Sequence, residues 1–329
     1  MTRGVEALPP AALMVMLLLA PQTGAGASAN AEVKAALARM TQALHSLSYT
    51  GTFVYLHGDR LDTLRFSHTV HDGQELERLV SLNGVAREVH RDPTTVVCVM
   101  PDAKAVLVEK RIPATQLWPS LDVARLGQFY RLHTLGDSRV AGRVAQVVGI
   151  IPRDALRYGY RFYLDRETGL PLKTDLMNEE ANPIEQIMFT SLGLHADVSG
   201  PEEDEGVPNG YRTVTQNAPQ SDQKGVASQW VFRNLPVGFA LHGHHHWADA
   251  TGAQVEQLVL TDGLASVSVY VERSGSEGLQ GAAHIGAVNA WGGRVADHQV
   301  TAVGEVPHGT VRQVAEALSP RPAGGDRND

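Results

Sequence analysis

The chain has 329 residues, a formal net charge of −8, 43% apolar residues and one cysteine. An apolar fraction near the globular average excludes wholesale disorder and a multispan membrane protein. The acidic balance argues against a nucleic-acid binder, which needs a basic face. Cys98 alone cannot build a disulfide framework or a multi-cysteine zinc centre, and its run Val96-Val97-Cys98-Val99 predicts a buried thiol.

Residues 1–29 read as a cleaved secretory signal. Arg3 marks a short basic start, Ala11–Ala20 an apolar run, and Ala25-Gly26-Ala27 or Ala27-Ser28-Ala29 a small-residue cleavage site. The apolar run is too short to span a bilayer, which takes about 20 residues. Val33, Leu37, Met40, Leu44 and Leu47 then recur at helical spacing, with Asn30 as the expected N-cap.

From Tyr49 the period changes to two. The alternation predicts strands at Thr50–Leu56, Leu61–His71, Leu76–Leu82, Val85–Arg91, Thr95–Met100, Lys104–Lys110, Val144–Ile151, Tyr158–Leu164, Leu172–Asn178 and Ile184–Ser191. Gly58-Asp59, Asp72-Gly73 and Asn83-Gly84 supply tight-turn chemistry between them. Only Pro119–Leu135 interrupts the series, which predicts one large antiparallel sheet with a helix or two against it. The large domain is expected over 30–195.

Residues 196–228 combine glycine, proline and the run Glu202-Glu203-Asp204-Glu205, and read as an acidic flexible linker. A smaller domain is expected over 229–318, with strands at Gln229–Arg233, Phe239–Trp247, Val255–Thr261, Leu264–Glu272 and Arg294–Gly304. Asp262-Gly263 marks a tight hairpin there. Thr310 with Gln313 suggests a capping box for a last helix that Pro320 ends, and 319–329 reads as a disordered tail. The acidity is uneven: residues 30–200 carry 19 basic and 20 acidic side chains, residues 201–329 carry 8 and 15.

Among enzyme signatures, the chain has no nucleophile elbow, H-E-x-x-H, P-loop or dinucleotide-binding glycine pattern. No cofactor is implied. His242, His244 and His246 would share one face of an extended strand, about 6–7 Å apart. Two imidazoles could just close on one metal, but further ligands are not evident, and a solvated strand face is favoured over a metal site. Lys104, Lys110, Arg111, Arg153, Arg157 and Arg161 lie in a basic stretch suited to phosphates or an acidic partner segment. Phe53, Tyr55, Phe66, Tyr160, Phe162 and Phe189 fall in predicted strands and are candidates to line a lipid pocket if a helix covers only part of the sheet.

Long runs resemble one family. They include Tyr49–Leu56 (YTGTFVYL), Glu77–Arg91 (ERLVSLNGVAREVHR), the stretch YGYRFYLDRETGLPLKTDL within Val140–Leu176, Leu258–Val271 (LVLTDGLASVSVYV), Gly286–Arg294 and Val300–Ala315. In order and over nearly the whole chain, they are similar to the MucB/RseB regulators of the extracytoplasmic sigma factor. The resemblance implies a strand-rich α+β protein: an unclosed antiparallel β-barrel plugged by helices, as in the lipoprotein carriers LolA and LolB, followed by a smaller α/β domain. It further implies a periplasmic regulator that is not an enzyme. Such a regulator binds the periplasmic domain of a membrane-spanning anti-sigma factor and shields it from the site-1 protease. Mislocalised lipopolysaccharide or lipoprotein acyl chains then release it. Self-association stays open. The competing readings are a lipid or lipoprotein carrier without an anti-sigma partner, and an exported hydrolase with dispersed carboxylates.

Overall fold

The computed structural model describes residues 24–110, 121–195, 210–216, 220–221, 228–248, 252–273 and 278–322. It opens with helix α1 (Gly24–Ser46). Strands β1 (Ser48–His57), β2 (Arg60–His71), β3 (Gln74–Ser81), β4 (Glu88–Arg91), β5 (Thr95–Met100) and β6 (Ala105–Lys110) follow as a meander. Helix α2 (Val123–Phe129) leads into β7 (Tyr130–Val140), β8 (Arg143–Pro152), β9 (Gly159–Asp165), β10 (Pro171–Met177) and β11 (Pro183–His195). The sheet has 12 strands in the order β12-β6-β5-β4-β3-β2-β1-β11-β10-β9-β8-β7, β12 being Arg212–Gln216. Its edge strands β12 and β7 do not pair, so the sheet stays open.

Turn chemistry sets the hairpins. Asp72 and Gly73 both have positive φ, 50° and 75°, the conformation whose twist matches a two-residue hairpin. Asn83 orders the bend after β3 with its side chain, which accepts from the Thr63 N–H and donates to the Leu61 carbonyl.

The inner face of the sheet is covered by α1. Val33, Leu37 and Met40 are buried against Val148, Ile150, Phe162 and Leu164. Each fully buried side chain of this size contributes about 1.5–3 kcal/mol, so one helical stripe anchors the helix.

The second sheet has seven antiparallel strands: β13 (Gln220–Ser221), β15 (Ala240–Ala248), β16 (Gln254–Thr261), β17 (Ser266–Arg273), β20 (His298–Gly304), β19 (Val288–Val295) and β18 (Gly281–Ile285), in that spatial order. Helix α3 (His308–Ala317) packs Val311 and Val314 against Val267, Val269 and Val300. A two-stranded ribbon joins β14 (Trp230–Phe232) to β21 (Leu318–Pro320).

The structure departs from the sequence expectations at several points. Helix α1 begins at Gly24 and runs through Asn30, which is therefore not its cap; residues 1–23 lie outside the described part. β7 begins inside Pro119–Leu135, the stretch expected to interrupt the strands, and β12 adds a parallel strand to β6 inside the expected linker. Its Thr213-Val214-Thr215 core suits an edge strand. The strand expected over Arg294–Gly304 is split by a turn at Ala296, whose φ is 51°. Helix α3 starts one turn before Thr310 with Pro307 as N-cap, and Thr310 is buried instead of capping. Cys98 is half-buried, because the sheet wing formed by β3, β4 and β5 has no fully buried residue.

Candidate functional site

The two sheets meet at a sealed junction centred on Arg157, in the loop between β8 and β9. Its side chain is fully buried, with the guanidinium carbon 5.0 Å from the Phe129 ring centre, 5.7 Å from Tyr130 and 5.3 Å from Phe239. Each nitrogen finds an acceptor. Nε donates to Asp154 Oδ1 at 3.0 Å, Nη1 to Asp262 Oδ2 at 2.6 Å, and Nη2 to the Val237 carbonyl at 2.5 Å. A planar fork with fixed donors suits this three-way contact better than an ammonium would.

Asp262 is fully buried on the other side. Its Oδ1 accepts from the N–H groups of Leu264 and Ala265, closing the hairpin between β16 and β17, while Oδ2 accepts from Arg157 and from the Tyr130 hydroxyl at 2.8 Å. Burial, with the Asp262 charge beside it, holds the Tyr130 phenol above its ordinary pKa, so it stays a donor. The expected Asp262-Gly263 turn is thus a docking point as well. The Asp122 N–H donates to the Gly263 carbonyl at 2.6 Å, and Arg125 reaches the Gly238 carbonyl at 3.3 Å. Gly238 has φ +93° and packs where a Cβ would come within 2.7 Å of the Phe129 ring.

Further bonds widen the contact. Thr310 donates to the Leu156 carbonyl at 2.7 Å, and Asn289 donates to the Tyr158 hydroxyl at 3.1 Å. Glu185 accepts from the Ala287 N–H at 2.9 Å and from the Tyr55 hydroxyl at 2.7 Å.

Beside this junction, on the sheet face away from α1, lies a cavity of about 250 Å³. Gly149 and Gly159 leave its floor without side chains; Leu135, Ile151, Pro152 and Met177 give apolar walls. Arg131, Arg161, Asp154 and Glu179 bring charge, and Arg157 and Asp154 of the junction belong to the lining.

The sequence candidates fall in different places. Phe53, Phe66 and Phe189 pack together in one core cluster with Tyr55 at its border, and Tyr160 and Phe162 stack in another beneath α1. Of these six only Tyr160 also reaches the cavity. Arg161 lines the cavity, with Asp175 at 3.8 Å. Arg153 is exposed and donates to the Gly127 carbonyl. Lys104 is exposed, in a left-handed turn far along the sheet. Arg157 does not face solvent: it is fully buried, paired with the buried Asp262 and with Asp154 at the surface. The side chain of Lys110 and all of Arg111 lie outside the described residues. In the histidine run, a bulge leaves His242 without a cross-strand partner. His244 and His246 stay adjacent at 6.3 Å, and His244 Nε2 lies 2.7 Å from Glu256.

An open twelve-stranded sheet covered by a helix, and docked through a buried arginine onto a second sheet, is a two-domain, strand-rich architecture. Residues 32–207 match the MucB/RseB N-terminal domain and residues 224–319 the MucB/RseB C-terminal domain. The chain belongs to the MucB/RseB family. It is 35% identical to the sigma factor AlgU regulatory protein MucB of Pseudomonas aeruginosa, over 94% of this chain and 98% of that one. It is 26% identical to the sigma-E factor regulatory protein RseB of Escherichia coli, over 89% and 92%. Among solved structures, the MucA/MucB complex of Pseudomonas aeruginosa matches at 32% identity and a TM-score of 0.68, covering 89% of this chain and 100% of that one. A crystal structure of MucB in complex with MucA(peri) matches at 32% identity and 0.66, covering 88% and 100%.

Proposed function

We propose that this protein is a periplasmic negative regulator of an extracytoplasmic sigma factor and not an enzyme. It binds the periplasmic region of a membrane-spanning anti-sigma factor, shields it from the site-1 protease, and releases it when mislocalised lipopolysaccharide or lipoprotein binds. What carries the reading is that both domains match the family in chain order, and that a 32% identical relative forms a complex with MucA. Export by the N-terminal segment, cleaved near residue 29, brings the protein to that partner.

A lipid can release the partner only by binding the partner-free form better than the bound one. The cavity offers a physical route to that difference. Arg131 and Arg161 attract a phosphate, the Leu135–Ile151–Met177 wall takes an apolar chain, and Asp154 and Arg157 link the occupant to the junction. The cavity is smaller than the roughly 300–1,000 Å³ of a drug-sized pocket, so it accepts the end of an acyl chain and not a whole lipid. Four buried methylenes at about 0.8 kcal/mol each supply about 3 kcal/mol, enough for about a hundredfold change in affinity.

A reconstituted cleavage assay tests the shielding. With site-1 protease and the anti-sigma periplasmic region, adding this protein slows cleavage. Unchanged cleavage at saturating protein contradicts the reading.

A further inference from the structure

The β2–β3 hairpin brings three metal-ligand side chains together beside the end of α1. His68 on β2 is only 2% exposed. It stands in a cross-strand row with Tyr49 on β1, Glu77 on β3 and Arg91 on β4. Glu75 lies two residues from Glu77 on the same face of β3, and His45 reaches over from the last turn of α1. His68, Glu75 and Glu77 are, among the described residues, the one group of three or more His, Cys, Asp or Glu whose candidate ligand atoms all lie within 4.8 Å of each other. His45 Nδ1 lies outside that group and holds its Glu75 carboxylate from the side, 3.1 and 3.2 Å from the two oxygens.

The hydrogen bonds orient His68 for a ligand. Its Nδ1 lies 2.8 Å from the Leu47 carbonyl. A carbonyl oxygen only accepts, so Nδ1 carries a hydrogen and Nε2 is left facing a Glu75 carboxylate oxygen 3.3 Å away. A proton or a metal ion between Nε2 and that oxygen satisfies both. The charges point the same way: Glu75 and Glu77 bring two negative charges, and the Arg91 guanidinium, 3.0 Å from Glu77, offsets one. The surroundings match the outer shell of a metal centre, with the Leu47 carbonyl fixing the tautomer and orientation of His68 and Arg91 holding Glu77.

We infer that His68, Glu75 and Glu77 form a zinc site. One imidazole and two carboxylates, with a water in the fourth position, suit four-coordinate Zn²⁺, whose bonds to nitrogen and oxygen are about 2.0–2.2 Å. Tetrahedral ligands at those lengths lie roughly 3.4 Å apart, a contraction that rotation of the two glutamate side chains supplies. The ion would tie β2 to β3 where His68 meets the Leu47 carbonyl and Glu75 meets His45, next to the end of α1.

The test is calorimetric titration of ZnCl₂ into the EDTA-stripped protein, with thermal unfolding measured alongside. The site predicts one equivalent of Zn²⁺ and a raised melting midpoint. Glu75 and Glu77 are not fully buried, so Glu75→Gln and Glu77→Gln keep the fold, checked by circular dichroism, and each weakens uptake at least tenfold. His244→Ala/His246→Ala leaves uptake unchanged. Absence of heat and of a melting shift at millimolar zinc overturns the site and leaves a proton between His68 and Glu75. Loss of uptake only in the His244/His246 variant overturns it in favour of the histidine run. Cobalt gives a second readout: Co²⁺ bound to the wild type shows the intense visible bands of four-coordinate geometry. Only weak six-coordinate bands contradict the ligand set.

Discussion

Arg157 and Asp262, 105 positions apart in the chain, meet as a fully buried ion pair with Nη1 2.6 Å from Oδ2. The pair joins the two sheets, and everything else at the junction is arranged around it. Three aromatic rings exclude water from the guanidinium, while Asp154 and the Val237 carbonyl take its other donors. Asp154 and Arg157 also line the neighbouring cavity, so an occupant there touches this junction.

Arg157→Met tests the pair directly. Removing one partner of a buried ion pair costs about 3–5 kcal/mol, because the other charge stays buried. The expected outcome is a melting midpoint lower by roughly 10 °C and faster proteolysis between the domains. Arg157→Met/Asp262→Asn recovers part of the loss, since the remaining group is neutral.

Gly238→Ala probes the same contact through the backbone. At φ +93° an L side chain is strained, and its Cβ would press on the Phe129 ring that covers Arg157. Thermal unfolding is expected to show a loss of about 1–3 kcal/mol, and a neutral substitution would contradict the close packing described.

Asp165 gives the pH dependence of the large domain. Burial alone pushes its carboxyl pKa up, but hydrogen bonds from Arg143 and Thr168 outweigh that and hold it below the ordinary value. A depressed carboxylate contributes stability that is fully present above its unfolded pKa of about 3.9 and is lost as pH falls through the folded value. The midpoint gap between wild type and Asp165→Asn is therefore full at pH 6 and closes as pH falls below about 4. A gap constant down to pH 2 contradicts the pairing.

Ile151→Glu tests the cavity. A carboxylate on that apolar wall repels a phosphate and resists an acyl chain. In a fluorescence-anisotropy assay of partner release, the lipid concentration for half-release should rise at least tenfold. An unchanged concentration places lipid elsewhere.

Much of the fold was legible because it is local. Asp72-Gly73 carries turn chemistry that needs no distant partner, and β5 spans Thr95–Met100 as expected. Asn83-Gly84 instead lies in a longer bend between Ser81 and Glu88 that Asn83 ties to Leu61 and Thr63. β7 escaped because its residues from His133 to Asp137 are exposed, so no apolar stripe marks it. Thr310 looked like a helix cap and instead donates across the junction to the Leu156 carbonyl. Arg157 shows the limit most clearly. In sequence it is one arginine of a basic stretch, and only the fold brings Asp262, Phe239 and Val237 around it. The aromatic candidates were found as residues but not as a pocket, because packing against α1 and against one another takes them into the core.

The central claim is that lipid and anti-sigma segment compete for this protein through the junction. Its most direct test is the affinity of the purified protein for the anti-sigma periplasmic segment, measured with and without lipid A fragments. The account predicts tight binding that lipid A weakens by tenfold or more, and lower sensitivity when a disulfide locks the two domains together. Absence of binding, or binding that saturating lipid A leaves unchanged, contradicts it.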